Sequence, residues 1–361
     1  MTAQQEIRLA LPGKGALEAA TLNFLAECGM KVNRNNPRQY LARIKSMPEV
    51  EVVFQRAADI PLLVQDGDAA LGITGYDILA EYRGYGDEDD EEKDDGNELC
   101  ILERDLGYGN CRLVVAVPET WIDVSSCADL WHLAGYYMTQ KGRALRIATK
   151  YPTLTGRFLR RQGITHYKLI SPHGALEAAP LTDTADLIVD LTETGTTLRE
   201  NHLKLFDDGV VLRSQACLIA NAQLLEQHES ALRTASVMLE LIEARVQARN
   251  RSLLTAYVQS ESVEYIQRVC ESLRPSISGI EFRRSGADEQ NIGQEDAAQA
   301  RNWFTITGVV NVGRPAADLL ETVAILRGAG AAHINVVPLT YRFQHESVSV
   351  RELRERLKRR Q

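Results

Sequence analysis

The run Asp186–Leu198, DLIVDLTETGTTL, joins one carboxylate to a turn rich in hydrogen-bond donors. Apolar residues surround Asp190, and a polar turn with one glycine and four threonines follows. An apolar run of this length closed by a Gly/Thr turn predicts a buried strand. Asp190 then sits near the carboxyl end of that strand, where open α/β sheets bind their ligands. The turn offers backbone N–H groups, hydroxyls and a helix start near Thr197, which are the parts of a phosphate cradle. A carboxylate beside it suits sugar hydroxyls or a magnesium ion. A phosphorylated sugar fits this pairing. A plain strand and turn accounts for the same residues, because an N-cap threonine needs no ligand.

Strands and helices alternate around this run. IRLAL at 7–11 reads as a first strand, followed by the turn Pro12–Gly15 and a helix through Cys28. Val50–Phe54 and Ala69–Thr74 read as strands, with a short helix Ile60–Gln65 between them. The alternation predicts an α/β domain with a largely parallel sheet. Further strands are expected at 112–118, 147–149, 167–171, 187–191, 203–206 and 217–220. From 223 to 249 the apolar residues recur at helical spacing. Beyond it the order βαββαβ, with strands at 253–259, 280–284, 303–310 and 333–339 and helices at 261–272 and 315–328, is ferredoxin-like. VRELRERLKRR closes the sequence as a basic helix, expected to be solvated or a subunit contact.

The composition narrows the function classes. A length of 361 residues suggests two or three domains. The six cysteines contain no CxxC pair, which suits buried thiols in a reducing compartment. No apolar run is long enough to cross a membrane, and the first residues do not resemble a secretory signal, so a cytoplasmic protein is expected. A net charge of −8 makes a poor nucleic-acid binder. The acidic run at 86–98 reads as a solvated loop. The histidines show no metal-ligand spacing, and no GxSxG segment is present.

Several segments together carry a family resemblance. They are ALPGKGAL (10–17), DIPLLVQDGDAALGITGYDIL (59–79), LGYGNCRLVVAVP (106–118), RIATKYPTLT (146–155), GALEAAP (174–180) and DLTETGTTL (190–198). In this order they resemble the ATP phosphoribosyltransferases, long form, which open histidine biosynthesis. The resemblance implies two α/β catalytic lobes like type II periplasmic binding proteins, at 1–110 with 193–224 and at 111–192. It also implies a C-terminal ferredoxin-like (ACT-like) regulatory domain at 225–361. The implied reaction joins ATP to PRPP: the adenine N1 attacks the anomeric carbon and pyrophosphate leaves. Holding two polyanions in register supplies most of such catalysis.

By the same resemblance, Thr194, Gly195, Thr196 and Thr197 cradle the 5-phosphate of PRPP. Asp190 meets the ribose hydroxyls, and Glu177 is a second candidate for the ribose or for Mg2+. Lys14 reaches a phosphate, and Arg112 neutralises pyrophosphate or the ATP phosphates. Asp77, Lys150 and Tyr151 are candidates for the ATP or pyrophosphate side. Histidine is the implied allosteric inhibitor, and a homo-oligomer between dimer and hexamer is the implied assembly.

Three departures bear on this reading. Ala70 stands where the family usually has Asp, Ala175 where it often has Ser, and GKGAL replaces KGRL, so one arginine is missing. The alternative function is therefore a degenerate paralogue that binds PRPP or nucleotide as a regulatory or sensor protein without turnover.

Overall fold

The computed structural model describes residues 7–34, 36, 38–84, 98–172, 174–285, 302–313 and 316–360. Most of the acidic run, the Asp/Gln/Gly-rich loop after residue 285, Pro315 and His173 lie outside the described residues.

Strand β1 (Ile7–Pro12) is buried on both faces, as a central parallel strand must be. Helix α1 (Ala16–Glu27), strands β2 (Val32–Asn33), β3 (Leu41–Ile44) and β4 (Met47–Gln55), helix α2 (Ile60–Gln65), strand β5 (Leu71–Gly75), helix α3 (Tyr76–Arg83) and strand β6 (Leu99–Glu103) follow. The second lobe contains β7 (Cys111–Pro118), α4 (Cys127–Gln140), β8 (Leu145–Thr149), α5 (Pro152–Arg161) and β9 (Tyr167–Ile170). It continues with β10 (Leu187–Thr192), α6 (Thr196–Glu200) and β11 (Leu203–Ser214). Next come β12 (Ala216–Asn221), α7 (Ala222–Gln227) and α8 (Glu229–Ala248).

The first sheet has the order β2-β3-β4-β1-β5-β12-β6 and the second β11-β7-β10-β8-β9. The first sheet is mixed: β4, β1 and β5 run parallel, while β12 is antiparallel to both β5 and β6. The sequence predicts a largely parallel sheet. The difference has two sources: β2, β3 and β4 form an antiparallel meander, and β12 enters from the other lobe. The chain crosses twice, from β6 to β7 and, through Gln215, from β11 to β12. The crossings hydrogen-bond to each other: the Leu106 amide to the Ala216 carbonyl at 3.0 Å and the Ala216 amide to the Tyr108 carbonyl at 2.9 Å. Strand β11, which the sequence reading groups with the first lobe, pairs with β7 in the second sheet. One buried apolar cluster contains residues of both lobes, among them Ala10, Tyr76, Leu79, Val115, Leu154 and Leu187.

The rest of the chain forms β13 (Arg251–Ser260), α9 (Val263–Leu273), β14 (Ile277–Ser285), β15 (Asn302–Asn311), α10 (Ala316–Gly328) and β16 (Ala331–Pro338), then α11 (Val348–Arg360). The chain divides into two compact units, one of residues 1–239 with 348–361 and one of residues 240–347. In the smaller unit the antiparallel order β14-β15-β13-β16 is the ferredoxin-like arrangement that the βαββαβ pattern predicts. Alternate residues of β13, Leu254, Ala256 and Val258, enter the core with Ile266, Phe304 and Leu326. Their neighbours Leu253 and Tyr257 face outward.

The terminal basic helix is not a free solvated helix. It belongs to the larger unit, where Leu353 and Leu357 are buried and Arg356 Nη1 donates to the Ile101 carbonyl of edge strand β6 at 2.8 Å. Arg360 Nε pairs with Glu226 at 3.2 Å. All six cysteines are free. Among the described residues no helix is long and apolar enough to cross a membrane.

Candidate active site

Register builds the site. Strands β8 and β10 are parallel, with Val189 opposite Thr149. The next residue of each strand line, Asp190 and Lys150, therefore emerges at the same sheet edge. Antiparallel β7 brings its first residues there, with Arg112 opposite Thr192. Opposite residues share a face and side chains alternate, so Asp190, Thr192 and Arg112 project on one side of the sheet. That side is packed by Leu176 and Leu198 against Val114, Ala148 and Ile188. Leu176 opens a single 3-10 turn, Leu176–Ala178, which carries Glu177.

Asp190 is half-buried and accepts one hydrogen bond, from the Leu191 amide at 2.8 Å. Burial raises its carboxyl above the usual range. The Leu191 amide and the Lys150 charge pull it down, and the Glu177 charge pushes it up. Asp190, Lys150 and Glu177 thus form one electrostatic group. Among the described residues no group of three His, Cys, Asp or Glu side chains could enclose a metal ion. Two carboxylates suit a Mg2+ that keeps waters and takes its other ligands from a substrate.

The turn beyond β10 is held open by its own side chains. Thr192 Oγ1 accepts from the Gly195 amide at 2.8 Å. Gly195 has φ 80°, a left-handed conformation that glycine adopts without strain. It is the N-cap of α6 and has no side chain with which to cap it. The Thr194 and Thr196 hydroxyls are 2.9 Å apart. The Thr197 hydroxyl has no partner among the described residues. All three threonines are exposed, and the first amide of α6, that of Thr196, donates to the Thr194 hydroxyl at 3.4 Å.

The remaining predicted residues divide. Lys14 is exposed in the turn after β1, at the carboxyl edge of the first sheet. Neither Lys14 nor Arg112 has an ion-pair partner among the described residues. Asp77 is different: it is buried at the start of α3, and both of its oxygens are occupied. Ser214 Oγ donates to Oδ1 and Tyr151 Oη to Oδ2, each at 2.6 Å. Burial, then the Asp77 charge, raises the Tyr151 hydroxyl. The same two causes push the Cys111 thiol up to about 11. Glu81, four residues beyond Asp77, accepts from the Thr153 and Leu154 amides at 2.8 and 3.0 Å. The sequence reading missed Glu81 and Ser214. The i, i+4 spacing of Asp77 and Glu81 was a visible signal for the first; nothing local marks the second.

Two departures find their places. Ala70 lies at the amino end of β5, and its amide donates to the Arg8 carbonyl at 3.0 Å. That edge is opposite the one bearing Lys14, so position 70 is outside the cluster. Ala175 is exposed and is the N-cap of the turn that carries Glu177, with no side-chain cap.

The amino end of β10 holds another acidic residue, Asp186, which is 7% exposed. Arg143 binds both of its oxygens, at 2.6 and 2.8 Å, and Arg146 adds its amide at 2.7 Å and its guanidinium at 3.0 Å. Burial alone would raise this carboxyl. The arginine hydrogen bonds overcome that and hold it well below the usual range.

Residues 56–244 match the model of the HisG family, described as ATP phosphoribosyltransferase. The chain is 36% identical over 344 residues to "ATP phosphoribosyltransferase 2, chloroplastic" of Arabidopsis thaliana, covering 95% of this chain and 79% of that protein. It is 42% identical over 216 residues to "ATP phosphoribosyltransferase" of Brucella anthropi, covering 59% of this chain and 89% of that protein. A solved "ATP phosphoribosyl transferase (HisG:HisZ) complex from Thermotoga maritima" is 26% identical. Its TM-score is 0.48, covering 66% of this chain and 98% of that one.

Proposed function

The chain belongs to the ATP phosphoribosyltransferase family, and from that premise we propose how its residues carry the reaction. It is a transferase of histidine biosynthesis that joins ATP and PRPP to give phosphoribosyl-ATP and pyrophosphate. The bond from adenine N1 to the anomeric carbon forms as the bond from that carbon to the pyrophosphate oxygen breaks. One observation carries the residue roles: an under-paired Asp190, between the charges of Lys150 and Glu177, stands beside the open Thr194–Thr197 turn.

In this reading the three threonine hydroxyls and the α6 amides hold the 5-phosphate of PRPP, and Asp190 holds the ribose hydroxyls. Glu177 and Asp190 are the residues that would hold a Mg2+. That ion would offset pyrophosphate charge when bound. Lys150 and Arg112 face the pyrophosphate, and Lys14 reaches a phosphate from the other lobe. Asp77 and Tyr151, the candidates for the ATP side, are spent on each other and on Ser214, so they support that side by holding Tyr151 next to Lys150 and not by contact with ATP. These groups act by placement and charge, so no covalent nucleophile is needed. Pyrophosphate release from ATP, PRPP and Mg2+, lost on Thr197→Ala and Asp190→Asn while the fold is kept, is the test. Full turnover in both variants would overturn the assignment.

The ferredoxin-like unit, bounded in the sequence reading at residue 225, is the proposed regulatory domain of a cytoplasmic homo-oligomer, up to a hexamer. Free histidine binds it near His333, which pairs with Tyr257 across β16 and β13, and the face of β15. A coupling of about 1–3 kcal/mol is the usual size of such control. Calorimetry with millimolar histidine on the intact chain, and inhibition that excess PRPP does not reverse, are the expected results. No heat of binding would remove histidine from the account.

A further inference from the structure

The groups that meet the two substrates stand on different lobes, so catalysis depends on what sets the angle between them. Apolar contact between the lobes is non-directional and does not fix that angle. The first crossing carries Gly107 and Gly109, both with positive φ, and the second is the single residue Gln215; two backbone hydrogen bonds join the crossings to each other but tie neither to the walls of the site.

The structure assigns a positioning role to Asp77 and Glu81: from one face of α3 they lock the second lobe against the first, so that the two binding walls are in register before substrate arrives. This inference rests on the catalytic reading above. Asp77 and Glu81 are spaced i, i+4 and therefore share a helix face. Asp77 grips Tyr151, the residue after Lys150, and Ser214, the last residue before the second crossing. The Ser214 hydroxyl also accepts the Asp77 amide at 2.8 Å, which fixes it as donor to the carboxylate. Helix α5 begins with Pro152 and has no side-chain cap of its own. Glu81 supplies the cap from the opposite lobe, with one oxygen on the Thr153 amide and one on the Leu154 amide. A carboxylate is favoured there by the helix dipole. Arg157 of α5 returns a third tie, to the Gly84 carbonyl at 3.1 Å.

The chain makes room for this lock at Gly75. A Cβ at that position would lie 2.4 Å from Asp77 Oδ1. The carboxylate can fold back onto Ser214 only because position 75 has no side chain.

The test separates positioning from binding, because Asp190 and Thr194–Thr197 all lie on one lobe and need no register to bind PRPP. In the full chain, Glu81→Ala should lower kcat about tenfold or more, since misplacement near 1 Å costs on the order of a hundredfold. PRPP affinity by calorimetry should stay within about twofold. Hydrogen exchange at the Thr153 and Leu154 amides should accelerate, and Glu81→Gln, which keeps an acceptor, should restore part of kcat. Gly75→Ala and Asp77→Asn should repeat the split between kcat and PRPP affinity. If these two fail to fold, Glu81→Ala decides alone. Faster exchange with an unchanged kcat would overturn the lock, and so would PRPP affinity falling in step with kcat. A parent chain that binds no PRPP would overturn the catalytic reading instead, and exchange at Thr153 and Leu154 would still judge the tie.

Discussion

The two ends of β10 each carry an aspartate, Asp186 and Asp190, and treat it in opposite ways. Asp186 is the more buried, yet two arginines and a backbone amide hold its charge. Asp190 is less buried and has one amide, its own neighbour's. Burial raises both carboxyls; only at Asp186 do partners reverse the shift. A carboxylate whose hydrogen bonds are complete inside the protein has nothing left for a ligand. One left with free lone pairs beside an open donor turn does. Charge and burial alone would have ranked Asp186 first; the count of satisfied lone pairs reverses the order.

The largest expected effect tests the satisfied end. Asp186→Ala leaves Arg143 and Arg146 facing each other without their shared anion, and should cost about 3 kcal/mol of stability by urea denaturation. Turnover per folded molecule should be unchanged. The comparison breaks if Asp190→Ala destabilises as much.

The open end should lose function and keep its fold. Thr197→Ala removes a hydroxyl from a charged acceptor and should weaken PRPP by about 1.5–3 kcal/mol, read as a raised KM for PRPP with that for ATP little changed. Asp190→Asn should weaken PRPP at least about tenfold, or abolish its Mg2+ dependence, while the melting temperature holds or rises. A lower melting temperature in Asp190→Asn would place Asp190 with Asp186.

Acid titration sharpens the contrast, because the two carboxylates carry opposite signs. The depressed Asp186 carboxyl gives stability that is present above the unfolded value, about 3.9, and lost as pH falls toward its folded value. The raised Asp190 carboxyl gives stability that is present below that unfolded value and lost as pH rises through its folded one. Melting curves of the parent and of Asp190→Asn should therefore diverge as pH rises from about 4, with the variant the more stable. The gap between the parent and Asp186→Ala should close as pH falls.

The smallest effect is expected at the exposed cap of the Glu177 turn. Ala175→Ser offers that turn the cap it lacks and should stabilise by about 0.5–1 kcal/mol at most. A lower KM for PRPP in the same variant would tie the turn to the site.

Local chemistry made much of this legible. The DLTETGTTL run located the strand end, the left-handed glycine and the hydroxyl turn, because each is specified within about ten residues. The ferredoxin-like order was legible for the same reason: alternation and helical spacing place its six elements in sequence. Non-local facts were not. That β11 would join the second sheet and β12 the first depends on strand partners far away in sequence. That Asp77 would be consumed by Tyr151 and Ser214 depends on two lobes meeting. The helical spacing over 223–249 is realised as two helices, separated at His228, whose backbone is extended. Leu225, Ala231, Ala235 and Met238 of those helices are buried. A truncation near residue 225 would therefore cut into a core, so loss of histidine response in such a variant would be uninterpretable.

The return of α11 to strand β6 sets an order of events during synthesis. Strand β6 is made early, at residues 99–103, and forms one edge of its sheet. The helix whose arginine takes its Ile101 carbonyl is made almost 250 residues later, after the entire ferredoxin-like unit. Strand β6 joins the sheet only through β12 (Ala216–Asn221), so at about 5–20 residues per second the roughly 130 residues from there to α11 leave that edge uncovered for roughly 6–25 s while the ribosome works. An uncovered strand edge is a template for pairing with another chain. Polysomes, which hold many nascent copies close together, are where this chain is most exposed to misassembly, and a chaperone acting in that interval would have β6 as its first client surface.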